Sequence, residues 1–530
     1  MLDLFYTAMK HLIIILITQL LLWGCCRSER SILKSFYKAL DGDEWEHKEN
    51  WLSDKPLNEW YGITTDEEGK VVKIQLSDTL RGKVPANLKH LKRLQYLHLD
   101  CIAGGIRLEV NNYPSLKELR LNGYINLLTV ENCPELEKLS LISRYFDNFH
   151  VDGCPNLSSL ELEGSPFDTT KRELDLSPFP KLSELKIHRL PLDQLHINNC
   201  FNLKKIEIDS CQLKELNLYS CTNLEYLKVS GNDSLHALDL SRCVKLDTLN
   251  VRGNSITQLD VSQCKGLKYL DCSKNIFSEL ELNHPHLEYL KCSNNNISNL
   301  DVSRCKDLRY LDCSENILYK LESNIPKLEY LNCFYNRLTE LNIDECSELT
   351  FLCCPNNNIS KLELKNPKLQ VLACIVNGLT ILDVSKCKEL TALDCAHNEL
   401  TTLNISSCKK LDTLDCAYNK LSLLDISHCP ELKLFYCGGN NLTSINLSKH
   451  FKLEEFDCEN SLLKELDLSN SPKISRLNIS GTEITNIDIS HLKLDYFNAE
   501  ATSNIIVWIP KKFRPEFWFD SDSVEYKTKQ

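Results

Sequence analysis

Twenty-six cysteines punctuate this 530-residue chain, and their spacing decides what chemistry they can do. Ten recur once every 20 or 21 residues: Cys272, Cys292, Cys313, Cys333, Cys354, Cys374, Cys395, Cys416, Cys437 and Cys458. A second series holds Cys133, Cys154, Cys200, Cys221, Cys243, Cys264, Cys305, Cys346, Cys387, Cys408 and Cys429. Zinc wants convergent thiolates, as in C-x-x-C, and a disulfide wants Cβ atoms about 3.8 Å apart. Side chains one repeat apart, stacked at about 4.8 Å, meet neither demand. They are expected to be free, buried thiols acting as small core residues, with no metal and no cofactor. One aspartate per repeat (Asp271, Asp312, Asp394, Asp415, Asp457) invites calcium or acid–base chemistry. No second ligand set or paired acid and base accompanies them, so a solvated charged rim is expected. No nucleophile elbow, phosphate loop or H-E-x-x-H motif is present, and no catalytic residue is assigned. A net charge of -12 argues against a nucleic-acid partner.

The elements that must position these residues are repeats. From Leu94 to Leu494 the chain keeps L-x-x-L-x-(L/C)-x-x-N-x-(L/I)-x-x-L-x-(I/V) in 20 frames, after an atypical one at Val71. This pattern resembles the leucine-rich-repeat signature. The resemblance implies an α/β repeat: a leucine-rich-repeat solenoid with a curved parallel β-sheet, about 21 coils of 20–25 residues and terminal caps. Positions 4 and 6 alternate with their neighbours, so they point to one side of a short strand. A coil this short leaves no room for a full convex helix. The recurrent Leu-Asp-(Ile/Val)-Ser, as at Leu300–Ser303, predicts short strands or extended turns there. Position 9 carries Asn in successive coils from Asn232 to Asn440, with Cys211 one coil earlier, in a slot suited to bonding the turning backbone. The longest coil, Leu157–Lys181, has a few extra residues between Pro166 and Arg172.

The ends differ from the middle. Residues 1–24 read as a signal peptide, with Met9 as an alternative start and an apolar core from Leu12 to Gly24. Leu22-Trp23-Gly24-Cys25 resembles a bacterial lipobox, which implies lipidation of Cys25 and a tether over residues 25–30. Residues 31–70 form an expected cap, with a helix around Ile32–Leu40 followed by Trp45, Trp51 and Trp60. This stretch resembles the cap of plant-type leucine-rich-repeat receptors, although residues 27–100 lack the paired cysteines usual there. The solenoid is assigned to residues 71–500. Residues 501–530, with Phe513, Phe517, Trp518 and Phe519, are the expected C-terminal cap and tail.

Positions 3, 5, 7 and 8 face outward, on the concave side that such solenoids present to partners. Tyr269, Tyr289, Tyr310, Tyr330 and Phe351 line position 3, where they are either contacts or repeat filler stacked on itself. Phe334, Tyr335, Ile375 and Val376 fall where neighbouring coils carry polar residues, and Tyr418 and Tyr436 extend the stripe. An exposed apolar stripe of this kind marks an interaction site. The Leu-Asp-Cys-Ser coils over residues 200–500 resemble internalin-like and related surface lipoproteins of Gram-negative bacteria. That resemblance implies a lipid-anchored binding protein or adhesin of the cell envelope, held at the outer membrane. Its partner is expected to be a protein, with a glycan receptor or a non-anchored inhibitor or effector as alternatives. Mass spectrometry of the mature protein should find acylated Cys25 at its N-terminus, and Cys25→Ala should abolish lipid labelling. A Cys25→Ala protein that keeps its label refutes the anchor.

Overall fold

A strand with leucine at alternate positions buries them only if the next coil supplies a matching row. The computed structural model describes residues 28–143, 148–165, 172–322, 325–502, 504–512, 516–520 and 523–528. The leader, Cys25, residues 166–171 and Phe513 lie outside the described residues. Two compact units form, residues 1–245 and 246–530.

In the second unit, each coil contributes a three-residue strand at positions 3–5. Tyr310–Asp312 pairs in parallel with Tyr289–Lys291 on one side and Tyr330–Asn332 on the other. Leu311 is thereby set opposite Leu290 and Leu331, all three fully buried. The same register runs from Thr248–Asn250 to Phe517–Phe519. The leucine frame lapses after Leu494, but Tyr496–Asn498 still pairs with Phe517–Phe519, because backbone pairing does not depend on leucine. On the opposite side, Asn299–Asp301 pairs with Lys320–Glu322, and Ile381–Asp383 with Thr402–Asn404. Near the C-terminus Asn486–Asp488, Ile505–Ile509 and Val524–Thr528 form a three-stranded parallel sheet of their own. The aspartate accepts the N–H of the serine two residues on, as Asp260 does from Ser262 at 2.8 Å and Asp425 from Ser427 at 2.9 Å.

The first unit opens with the helix Glu29–Ala39, capped by the Ser28 hydroxyl. The helix starts three residues earlier than the apolar pattern predicts. Its buried face, including Ile32, Leu33 and Phe36, meets Trp45, Trp51 and Trp60. Buried Asp78 joins this cluster to the first coil by accepting from the backbone N–H of Glu46 and His47 at 2.9 and 2.8 Å. Longer parallel strands follow, Tyr96–Asn111 and Glu118–Glu131 among them.

Buried turns need partners for their backbone, and the position-9 asparagines supply them. Asn316 Nδ2 donates to the carbonyls of Cys292, Cys313 and Ser314 at 3.0, 3.1 and 3.0 Å. Its Oδ1 accepts from the Ile297 N–H at 3.0 Å, on the preceding coil. Asn336, Asn357, Asn398 and Asn419 repeat the arrangement. Cys211, in the same slot, donates its thiol to the carbonyls of Ile187 and Asp209.

The 23 cysteines from Cys133 to Cys458 are free, and all of these but Cys353 are buried. At position 6 they form an apolar column, and burial pushes thiols such as Cys292, Cys333 and Cys395 far above their ordinary pKa. Position 19 behaves differently from a mere filler site. Cys200 and Cys408 direct Sγ at carbonyls 24 residues earlier, 3.3 and 3.6 Å away. Where that column lacks a cysteine, His284, Asn366 and His450 reach the equivalent carbonyls at 3.0, 3.0 and 3.2 Å. Phe179 and Ile325 hold the same position with nothing to donate, so the site accepts a small or flat donor without requiring one.

Replacing Asn316 by alanine strands several buried backbone groups, each worth about 1–3 kcal/mol when unsatisfied. Asn316→Ala should therefore lower unfolding free energy by about 3 kcal/mol in chemical denaturation. Asn316→Asp should fail to rescue it, because a carboxylate cannot donate. A loss near 0.5 kcal/mol contradicts this role.

Candidate partner-binding face

The outward side of the second unit's sheet carries the residues at positions 3, 5, 7 and 8. Position 3 is a continuous ring stack. Tyr289 and Tyr310 lie 4.1 Å apart at 6°, Tyr310 and Tyr330 4.2 Å at 4°, and Tyr330 and Phe351 4.5 Å at 5°. Tyr269 closes the near end at 5.6 Å from Tyr289. Lys291 Nζ hangs over Tyr289 and Tyr310, 5.8 and 5.4 Å from the ring centroids. The rings cover one another's faces and present edges outward, so this row serves first as packing within the sheet. Its in-register spacing follows from strand pairing, since Tyr289, Tyr310, Tyr330 and Phe351 are direct register partners.

Position 8 obeys a rule that periodicity alone does not reveal. In coil after coil its backbone is left-handed: Lys274 (φ 54), Asn294 (56), Glu315 (53), Tyr335 (54), Asn356 (53), Val376 (51), His397 (52) and Tyr418 (53). Gly253, Gly439 and Gly481 fill the slot elsewhere, and their recurrence with Asn294, Asn356 and Asn460 was the available signal. Glycine and asparagine suit this conformation; other residues cost about 1–2 kcal/mol, and a β-branched residue is an outlier. Val376 is β-branched and 43% exposed, and Tyr335 is 62% exposed. Neither recovers the strain by burial. Phe334 and Ile375, at position 7 of the same two coils, are half-buried, and the Phe334 and Tyr335 rings meet at 5.8 Å. The strand Phe351–Cys353 separates those coils, pairing with both. Cys353, the half-exposed thiol, lies on that intervening strand.

Tyr418 and Tyr436 are engaged differently. Tyr418 stacks on His397 at 4.5 Å and 8°, and its hydroxyl donates to Glu459. A Cβ at Gly439 would lie 2.6 Å from Tyr418 Cδ1, so that glycine makes room for the ring. Tyr436 is half-buried on the strand Leu434–Tyr436. These two tyrosines flank the patch; Tyr418 shares the left-handed backbone, but its ring and hydroxyl are engaged by His397 and Glu459.

The position-5 aspartates do not form the expected solvated rim. Asp271 is 4% exposed, and Asp312, Asp394, Asp415 and Asp457 are half-buried. Each directs Oδ1 back to its own turn, accepting the N–H two residues on at 2.9–3.3 Å. Placement mid-sheet between neighbouring side chains is what buries them. Burial, reinforced by Asp415, raises Asp394 to about 6; burial also raises Asp415 and Asp457. The first unit's outward face differs, because its charges satisfy one another. Glu184 lies 3.1 Å from Lys186, and Lys205 lies 2.8 Å from Glu207.

No family model matches the chain, and no curated protein does either. Solved structures do match. The functional domain of InlJ from Listeria monocytogenes, which includes a cysteine ladder, is 31% identical with a TM-score of 0.55, over 59% of this chain and 76% of that one. YopM from Yersinia enterocolitica is 24% identical with a TM-score of 0.56, over 86% and 90%. The plant peptide hormone receptor RGFR1, in complex with RGF2, is 19% identical with a TM-score of 0.55, over 85% and 88%.

The raised Asp394 has a consequence for stability. Its charged form is penalised in the fold, so the penalty is full above about pH 6 and is relieved as pH falls toward the unfolded value of 3.8. Asn at this position still accepts the turn N–H, as Asn332 does from Phe334 at 3.1 Å. Asp394→Asn should be about 1 kcal/mol more stable than wild type at pH 7.5, after discounting for partial exposure. The gap should narrow between pH 6 and pH 4 in denaturation curves. A variant less stable at pH 7.5 contradicts the penalty.

Proposed function

We propose that this chain, which belongs to the leucine-rich-repeat proteins, is a binding protein that holds a protein partner against the outward face of its second unit, centred on Phe334, Tyr335, Ile375 and Val376. One observation carries this assignment. Tyr335 and Val376 are exposed apolar residues kept in a left-handed backbone where most other coils place glycine, asparagine or a charged residue. Strain retained without internal compensation points to a role outside the fold. Aromatic and aliphatic anchors of this kind dominate protein interfaces. The complex of RGFR1 with RGF2 gives a precedent in fold for a peptide partner, and none for its identity.

A glycan is the weaker alternative, because sugars stack on ring faces and the position-3 faces are covered by neighbouring rings at 4.1–4.5 Å. The proposal extends to placement: an acylated Cys25 tethering the protein to the outer membrane of the cell envelope, supported by the apolar core Leu12–Gly24 before that cysteine.

The test is a quantitative pull-down of surface-protein extracts on immobilised protein, followed by affinity measurement. The double variant Tyr335→Asn/Val376→Asn should lose affinity about thirtyfold, equivalent to about 2 kcal/mol. It should be no less stable than wild type, since asparagine tolerates the left-handed turn. Glu161→Ala, on the first unit, should bind normally. Undiminished binding by the double variant, with loss in Glu161→Ala, moves the site to the first unit.

A further inference from the structure

A stacked sheet leaves a bare edge at its last coil unless another strand covers it. At the first coil that cover exists, where Ile63–Thr65 pairs antiparallel with Val71–Lys83. At the far end two strands stand outermost. Phe517–Phe519 pairs with Tyr496–Asn498, and Val524–Thr528 pairs with Ile505–Ile509. Among the described residues neither strand has a second strand beside it.

Each of these edges is complementary to its own reversal. In an antiparallel pair related by a twofold axis, the residue before the centre faces the residue after the centre of the copy. About Tyr526, Glu525 of each copy faces Lys527 of the other. The two charges share the strand face that carries Ile506 and Trp508, and they lie 3.2 Å apart within the strand. About Trp518, Phe517 of each copy faces Phe519 of the other, and these rings are 53% and 43% exposed. Neither strand holds a proline or a break in register, the devices that block edge pairing, and the one lysine is matched by the glutamate it would face.

The two centres also coincide. Trp518 belongs to the main sheet and Tyr526 to the opposite one, yet their rings meet at 4.8 Å and 64°. Both donate to Asp520 Oδ2, at 2.9 Å each. A single twofold axis through this ring pair therefore sets both strands opposite their counterparts at once.

We infer that two copies of this chain pair end to end through this last coil, with Phe517–Phe519 and Val524–Thr528 each continuing antiparallel into the same strand of the second copy. The inference is independent of the partner face proposed above, whose residues lie on earlier coils. Backbone hydrogen bonds supply the pairing, the phenylalanines the apolar burial, and the Glu525–Lys527 contacts the register. Such a dimer carries two partner faces, so a multivalent partner gains avidity.

The test is sedimentation equilibrium of the full chain in density-matched detergent, from about 1 to 100 µM. Wild type should form a dimer and nothing larger, because the twofold pairing uses both edges. Glu525→Lys and Lys527→Glu should each weaken the dimer about tenfold, since like charges then face each other twice. An equimolar mixture of these two variants should recover wild-type affinity as a heterodimer, in which every lysine again faces a glutamate. Mixing cannot restore a pair within one strand, so recovery places the contact between copies. The double variant Glu525→Lys/Lys527→Glu should dimerise like wild type. Tyr335→Asn/Val376→Asn, on the partner face, should also dimerise normally. A monomer throughout the range, species larger than a dimer, or undiminished association of both single variants overturns the inference. So does an unrecovered mixture, or loss of the dimer in Tyr335→Asn/Val376→Asn.

Discussion

Turning the chain every 20 residues or so sends backbone N–H and carbonyl groups into a region water cannot reach, and everything else depends on finding partners for them. The position-9 asparagines do this by spanning two coils at once, as Asn316 does between Ile297, Cys292 and Cys313. An amide is suited to the task because it donates and accepts from one flat group. In several coils the position-19 residue solves the same problem at the other turn with a single donor, a thiol, imidazole or amide. Leucine burial provides the driving force for stacking, but these two columns make the stack specific in register.

That constraint explains why the cysteines remain chemically quiet. A residue repeated once per coil meets its equivalents only at the strand spacing, so the thiols line up without bonding. In an apolar column they also resist ionisation, as the far-raised Cys292 and Cys395 indicate. Abundance of cysteine here reflects the space available between stacked coils. Among the described residues no three His, Cys, Asp or Glu side chains converge as a metal site requires.

The proposed binding falls to positions that the repeat leaves free. Position 8 has a demanding backbone and an undemanding side chain, so most coils fill it with glycine, asparagine or a charged residue. Tyr335 and Val376 depart from that economy. Position 5 needs only an acceptor for its turn, and asparagine supplies one; Asp394 and Asp415 add a charge in a half-buried setting where charge is unfavourable. The two departures are neighbours on one face, apolar and then anionic.

The coil count, the parallel sheet, the inward asparagines and the free cysteines were legible in the residues themselves, because a pattern repeated at fixed spacing has one economical burial. The departure of Phe334, Tyr335, Ile375 and Val376 from their own columns was legible too; the binding role proposed for them was not. Three things were decided only by the tertiary structure. Tyr289, Tyr310 and Tyr330 stack face to face because in-register strands bring their rings to 4.1–4.2 Å. Asp394 and Asp415 lose solvent because neighbouring coils crowd them, a quantity that no single coil contains. The left-handed turn at position 8 is a backbone angle set by closing each coil onto the next; the glycines and asparagines of some coils signal it, but Tyr335 and Val376 do not.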